Sequence, residues 1–226
     1  MAPAPTQGAG PWRSVAVPLD PRQVPVLPAA DVADVVARVA PVAQDLCILE
    51  ARGRRCDFLI QIDTRPGQPV NAYQSLDDTG RPVITLTAAL IEDARNADEI
   101  AFVLGHEAAH HIAGHLPRQR DTALAGALIA GTLAALGGAD PGAIRSAQNM
   151  GAAVGARTYS KDYELEADRL GTVIAYGAGF DAERGAGFFG RLPDPGNRFL
   201  GSHPPNAARI DAVRRTLAQL RARQTG

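Results

Sequence analysis

Two stretches decide how this chain is read: His106-Glu107-Ala108-Ala109-His110 and, further along, Glu164-Leu165-Glu166-Ala167-Asp168. A helix turns about 100° per residue, so His106 and His110 stand one turn apart on a single face. In that geometry two imidazoles can grip one cation. Glu107 lies about 100° round from His106, near enough to reach a metal-bound water without being a ligand. Glu164 and Asp168 repeat the four-residue spacing on a second helical pattern. One carboxylate can ligate while the other holds a histidine from behind.

Zinc favours imidazole nitrogen and carboxylate oxygen, and a hydrolytic site keeps one position open for water. The expected metal ligands are therefore His106, His110 and Glu164. Glu107 is the expected general base, passing a proton from the water to a leaving amine. Asp168 is expected to accept the Nδ1 proton of a ligand histidine and fix its tautomer. Glu166 is the rival third ligand. It lies about 200° from Glu164, so only one of the two can face the metal, and Asp168 shares its face with Glu164.

A bare His-Glu-x-x-His arises by chance in many helices, so its surroundings matter. Asp98 and Glu99 stand where a helix N-cap and first turn belong. Ile100-Ala-Phe-Val-Leu104 supplies an apolar face leading into the motif. On a straight helix His111 and His115 lie about 140° and 180° round from His106, so they read as solvated or supporting histidines. A third ligand histidine after a Gly turn needs a longer spacing, with which Gly114 and His115 are one residue out of step.

The 226 residues carry a net charge of -1, which offers no basic stripe for nucleic acid and no acidic tail. Residues 1 to 28, rich in Pro, Ala and Gly, read as a flexible arm, and residues 29 to 226 as one domain. The arm contains no long apolar core of a secretion signal. Cys47 and Cys56 flank Glu50 to Arg55. A disulfide across a hairpin of two strands, residues 46 to 51 and 57 to 62, is the favoured reading, and it implies an oxidising compartment. Two reduced thiols in a cytosolic protein are the alternative.

Elsewhere, Asp31 to Ala43 has helical spacing. Residues 70 to 76 and 82 to 87 read as strands, and Thr87 caps a helix to about Arg95. The metal helix is expected from Asp98 to His115, stopped by Pro117. The uncharged stretch 122 to 139 fits a buried or partly exposed helix, ahead of a membrane-surface contact and a true span. Asp140-Pro141 starts a further helix. Ser160 caps the helix of Glu164, Asp181 opens a short one, and a last helix runs from about Pro205 to Arg223. The sum is an α+β domain, mainly helical, with a small antiparallel sheet.

These motifs, in this order, resemble the HtpX- and BepA-like zinc metallopeptidases, the gluzincin family that also holds the CAAX prenyl proteases. The resemblance rests on His106-Glu107-Ala108-Ala109-His110 with the trailing Gly114-His115, and on Ser160 through Glu164 to Ala167-Asp168. It rests also on Ser202-His203-Pro204 through Arg209-Ile210, and on Asn71-Ala72 ahead of a strand. It implies a zincin-type domain with one zinc per chain on His106, His110 and Glu164, Glu107 as base and Asp168 behind a ligand. His203 matches a histidine that either stabilises the oxyanion or caps the zinc; its plain alternative is a loop residue before a proline. The chain shows neither the transmembrane helices of HtpX nor the repeat domain of BepA, so it resembles the small, single-domain members.

The function expected is that of a zinc-dependent endopeptidase acting on unfolded or misassembled proteins of a bacterial envelope, placed in the periplasm. Hydrolysis would proceed by Glu107-assisted attack of zinc-bound water. The family's architecture suggests that the strand nearest the metal helix, residues 82 to 87, binds substrate as an added strand. The alternative is a chaperone-like or scaffold protein whose zinc site is capped and non-catalytic. Peripheral contact of residues 122 to 139 with a membrane surface stays the second reading of that stretch, behind a buried or partly exposed helix.

Overall fold

A computed structural model describes residues 29–158, 160–191 and 205–224. The expected apolar stripe opens it: α1 (Ala29–Glu50) buries Val32, Val35, Val36, Val39, Ala43 and Cys47, spaced three and four apart. The helix carries the stripe through Cys47, so residues 46 to 51 are not a strand. Cys47-Ile48-Leu49 looks β-forming in isolation, but Ile48 and Leu49 face solvent while Cys47 continues the helical stripe.

Three strands follow: β1 (Leu59–Asp63), β2 (Ala72–Leu76) and β3 (Pro82–Thr87). β3 is central. It pairs antiparallel with β2, Ala72 opposite Leu86, and parallel with β1, Leu59 opposite Val83. The sheet is therefore mixed, not antiparallel as expected. All six residues of β3 are buried, and both its edges are taken. It cannot accept a further strand, and β2 is the edge beside the helix that carries the histidine motif.

Thr87 ends β3 and caps α2 (Ala88–Asp93), its hydroxyl accepting from the Leu90 amide. Next comes α3 (Ala97–Ala113), which carries the histidine motif through the middle of the core; Ile100, Ala101, Phe102 and Leu104 are shielded from water. Its N-cap is Asn96, whose side chain accepts from the Glu99 amide. Asp98, the expected cap, is instead buried within the first turn, accepting from the Asp181 amide and pairing with Arg184.

Gly114, left-handed at φ 69°, ends α3 before Pro117 is reached. Pro117 lies in the first turn of α4 (His115–Leu136), where its missing amide costs nothing. α4 forms a hairpin with α5 (Pro141–Thr158), capped by Asp140. The two backbones touch: a Cβ on Gly126 would stand 2.1 Å from the Gly151 carbonyl. The other face of α4 leaves Leu124, Leu128, Ile129, Leu133 and Leu136 exposed, so the expected stretch is a partly exposed helix that stops at Leu136, short of residue 139. Among the described residues no helix is long and apolar enough to cross a membrane.

The chain then returns to the core as α6 (Ser160–Gly177), α7 (Ala182–Ala186), a 3-10 turn (Gly187–Arg191) and α8 (Asn206–Gln224). The expected disulfide joins Cys47 to Cys56. It ties the end of α1 to the segment entering β1, not one hairpin strand to another. Its loop reaches α3: Arg54 donates to the carbonyls of His111 and Ile112, and the Arg55 carbonyl accepts from the His111 ring at 2.7 Å.

Candidate active site

The motif helix α3 and the carboxylate helix α6 cross where each has a glycine. A Cβ on Gly105 would meet the Gly171 carbonyl at 3.0 Å, and one on Gly171 would stand 2.9 Å from the His106 amide nitrogen. Contact of backbone on backbone brings the upstream turns of α6 over the histidines.

His106 Nε2 lies 3.1 Å from His110 Nε2 and 3.5 Å from Glu164 Oε2, and His110 Nε2 lies 3.5 Å from Glu164 Oε1. These three residues form a group that could hold a metal ion. Behind them, Asp168 Oδ1 is 2.9 Å from His106 Nδ1. Asp168 is fully buried, and Arg209 on α8 grips both of its oxygens at 2.7 and 2.8 Å. The Arg209 guanidinium lies 3.3 Å from the Phe189 ring centroid, and Phe189 meets the His106 ring edge to face. Glu166, the rival ligand, points away from this group. It accepts from His115 and Arg118 at 3.1 and 3.0 Å.

Glu107 faces the same space from α3 without joining the group. It lines a cleft of about 390 Å³ bordered by Asn71, by Tyr73 and Gln74 of the following β2, by Gln119 of α4 and by Phe189. Burial pushes its carboxyl up to about 7, against the pull of His106 and of a backbone hydrogen bond from Gln74. For His106 burial works against protonation, but the bonds to Asp168 and Glu164 outweigh it and carry its pKa up to about 9. Burial and the neighbouring His106 push His110 down to about 3, so its imidazole is neutral.

Neither His111 nor His115 is solvated. His111 is buried, its ring bonded to Arg55 and set edge-on to Phe58, a packing role. His115, also buried, supports His110 from behind. In the sequence Arg209 stands only as part of the segment Ser202 to Ile210. Its signal is a charged residue on a largely apolar stripe of α8, with Ala212, Val213, Thr216 and Leu217 buried beside it. His203, like Ser202 and Pro204, lies outside the described residues.

Donors converging on one point, with a carboxyl beside them that is not one of the group, at an open cleft, suit metal-assisted hydrolysis. Fold and site together define a metallopeptidase. The chain belongs to Peptidase family M48, whose model matches residues 29–217. A curated relative, from Vibrio cholerae serotype O1, is named as a beta-barrel assembly-enhancing protease. It is 34% identical over 129 residues, covering 54% of this chain and 26% of its own length. The match thus spans about a quarter of that relative.

Proposed function

We propose that this chain is a zinc-dependent endopeptidase that hydrolyses unfolded or misassembled proteins of the bacterial envelope. One observation carries the reading: the 3.1, 3.5 and 3.5 Å separations among His106 Nε2, His110 Nε2 and the Glu164 oxygens. Ligand bonds of about 2.0–2.2 Å at tetrahedral angles set donors about 3.3 Å apart, so two imidazoles and a carboxylate so placed fit zinc. When bound there, zinc supplies a Lewis acid that acidifies a water and polarises a peptide carbonyl.

The chain's own groups do the rest. Glu107 takes a proton from the attacking water and delivers it to the leaving amine. A carboxyl lifted to about 7 by burial suits both halves of that task near neutral pH. Asp168, clamped by Arg209, holds His106 with Nε2 turned to the ligand group. β2, at the edge of the sheet and beside the cleft, aligns an extended substrate backbone. His203 keeps the role the resemblance implies, stabilising the oxyanion or capping the metal.

The Cys47–Cys56 disulfide supports an oxidising compartment such as the periplasm. The relative's name, which concerns beta-barrel assembly, supports envelope substrates. The exposed apolar face of α4 supports a peripheral lipid contact, which co-sedimentation with vesicles checks by comparing wild type with Leu128→Gln/Leu133→Gln.

The test of the main reading is cleavage of casein by zinc-loaded wild type and by Glu107→Gln, with zinc measured in both. Wild type should cleave; the variant should hold equal zinc and lose at least about 100-fold in rate. Full activity in the variant removes Glu107 from the mechanism, and no zinc in the wild type removes the metal site. Peptides held extended should be cut faster than the same sequences held helical, and equal rates would count against β2.

A further inference from the structure

His115 has no part in the reaction above, yet it is 4% exposed and touches a proposed metal ligand. Its Nδ1 lies 2.8 Å from Nδ1 of His110. Its Nε2 lies 3.1 Å from Glu166 Oε2, which also accepts from Arg118 at 3.0 Å. Tyr163 stacks on the imidazole, centroids 4.6 Å apart and planes 15° from parallel. The Arg118 guanidinium in turn lies 4.5 Å from the Tyr163 ring centroid. On the other side of the site, His106 Nδ1 meets Asp168, which Arg209 clamps. Each histidine thus leads back to a carboxylate held by an arginine, and His110 does so through one intervening imidazole.

Counting hydrogens leaves one consistent arrangement once His110 presents Nε2 to a cation. A ligating Nε2 carries no proton, so the neutral ring carries its proton on Nδ1 and donates. His115 Nδ1 must then accept. That places the His115 proton on Nε2, where Glu166, an acceptor only, receives it. Every ring N–H has an acceptor and none is duplicated.

We propose that His115 is a positioning residue for His110: it accepts the Nδ1 proton and, with Glu166 and Arg118 behind it, fixes the tautomer and ring orientation that present Nε2 to the metal. This rests on the metal-site reading above. Gly114 makes it possible. On a straight helix His115 would point away from His110, but the left-handed turn at Gly114 ends α3 and folds His115 back beneath the motif.

The test measures zinc affinity of the full chain by competition with a fluorescent chelator, for wild type, His115→Leu and His115→Asn. Asparagine places Oδ1 where Nδ1 stood, so it keeps the acceptor for His110 while losing the contact with Glu166 and the stack on Tyr163. Leucine fills similar space with no acceptor. The dissociation constant should rise about 10–100-fold in the leucine variant and recover most of that in the asparagine variant. Nitrogen-15 spectra of the zinc-loaded imidazoles should show the protected His110 ring N–H in wild type and His115→Asn, and lose it in His115→Leu.

Equal affinity of wild type and His115→Leu overturns the proposal, as does an asparagine variant no better than leucine. A wild type that binds no zinc instead overturns the metal-site reading itself. Should His115→Leu prove unfolded by circular dichroism, Glu166→Ala takes its place at a 40% exposed side chain. Reduced zinc affinity there supports the relay, and unchanged affinity overturns it.

Discussion

Asp168 is a charge with no water around it, and what makes it tolerable is Arg209, which bonds both carboxylate oxygens from a helix 41 positions further along. Burial alone would raise the carboxyl; the bonds from Arg209 and His106 hold it below its ordinary range, so it stays an acceptor for His106 Nδ1. Arg209→Met keeps the bulk and removes the partner. It should cost about 3–5 kcal/mol, read as a lower urea midpoint, and weaken zinc binding as His106 loses its anchor. Arg209→Lys should fall between, because an ammonium cannot reproduce the planar fork. A midpoint unmoved in Arg209→Met would show that Asp168 draws its stability from elsewhere. The sequence already carried the outline of this site: His106, His110 and Glu164 converge as their spacing requires, Glu107 stands beside them, and Asp168 backs His106. Arg209 and His115 were less legible for separate reasons. Arg209 meets Asp168 only through tertiary packing. A straight helix puts His115 on the far side from His106, and one residue with positive φ, Gly114, cancels that extrapolation.

Among the elements, the crossing of α3 and α6 decides whether the two halves of the motif ever meet. Gly171→Ala would set a methyl 2.9 Å from the His106 amide nitrogen and 3.0 Å from its Cα, backbone atoms that cannot yield locally. The helices must part, at about 1–3 kcal/mol, and Glu164 and Asp168 would recede from His106. A lower melting temperature together with weaker zinc binding is expected. Gly187→Ala is the control, since nothing stands within 4 Å of its Cβ, and it should stay within about 0.5 kcal/mol of wild type. If both variants melt alike, the crossing is not closed by backbone contact. Helices and caps were read from local chemistry, as with Thr87, Asp140 and Asp181. Pairing was not. Whether β1 lies parallel or antiparallel to β3 depends on where the chain re-enters the sheet, which no local pattern encodes. The misread strand at residues 46 to 51 has the same origin, because the stripe ending at Cys47 gains its meaning from the core that α1 packs against.

For the molecule as a whole, the Cys47–Cys56 link does more than close a short loop. It holds the segment from which Arg54 caps the last carbonyls of α3 and Arg55 accepts from His111, so the end of the motif helix is anchored to α1 and β1 together. Gly114 sits under this clamp, and a side chain there would strike the Arg54 guanidinium. Closing a loop of about ten residues stabilises by about 3 kcal/mol, and about 2–4 °C of melting temperature accompanies each kcal/mol in a domain this size. Cys47→Ala/Cys56→Ala should therefore melt about 6–12 °C lower. The distribution of the loss separates two accounts. If the link acts only on the unfolded chain, amide exchange should accelerate uniformly with the lost global stability. If it also tensions the clamp, the amides of residues 111 to 114 should exchange faster than those of Ile100 to Leu104 in the same helix, and zinc affinity should fall with them because His110 lies one turn upstream. A uniform change with unaltered zinc affinity would confine the disulfide to a staple. A graded one would make the redox state of the compartment a condition on the site itself.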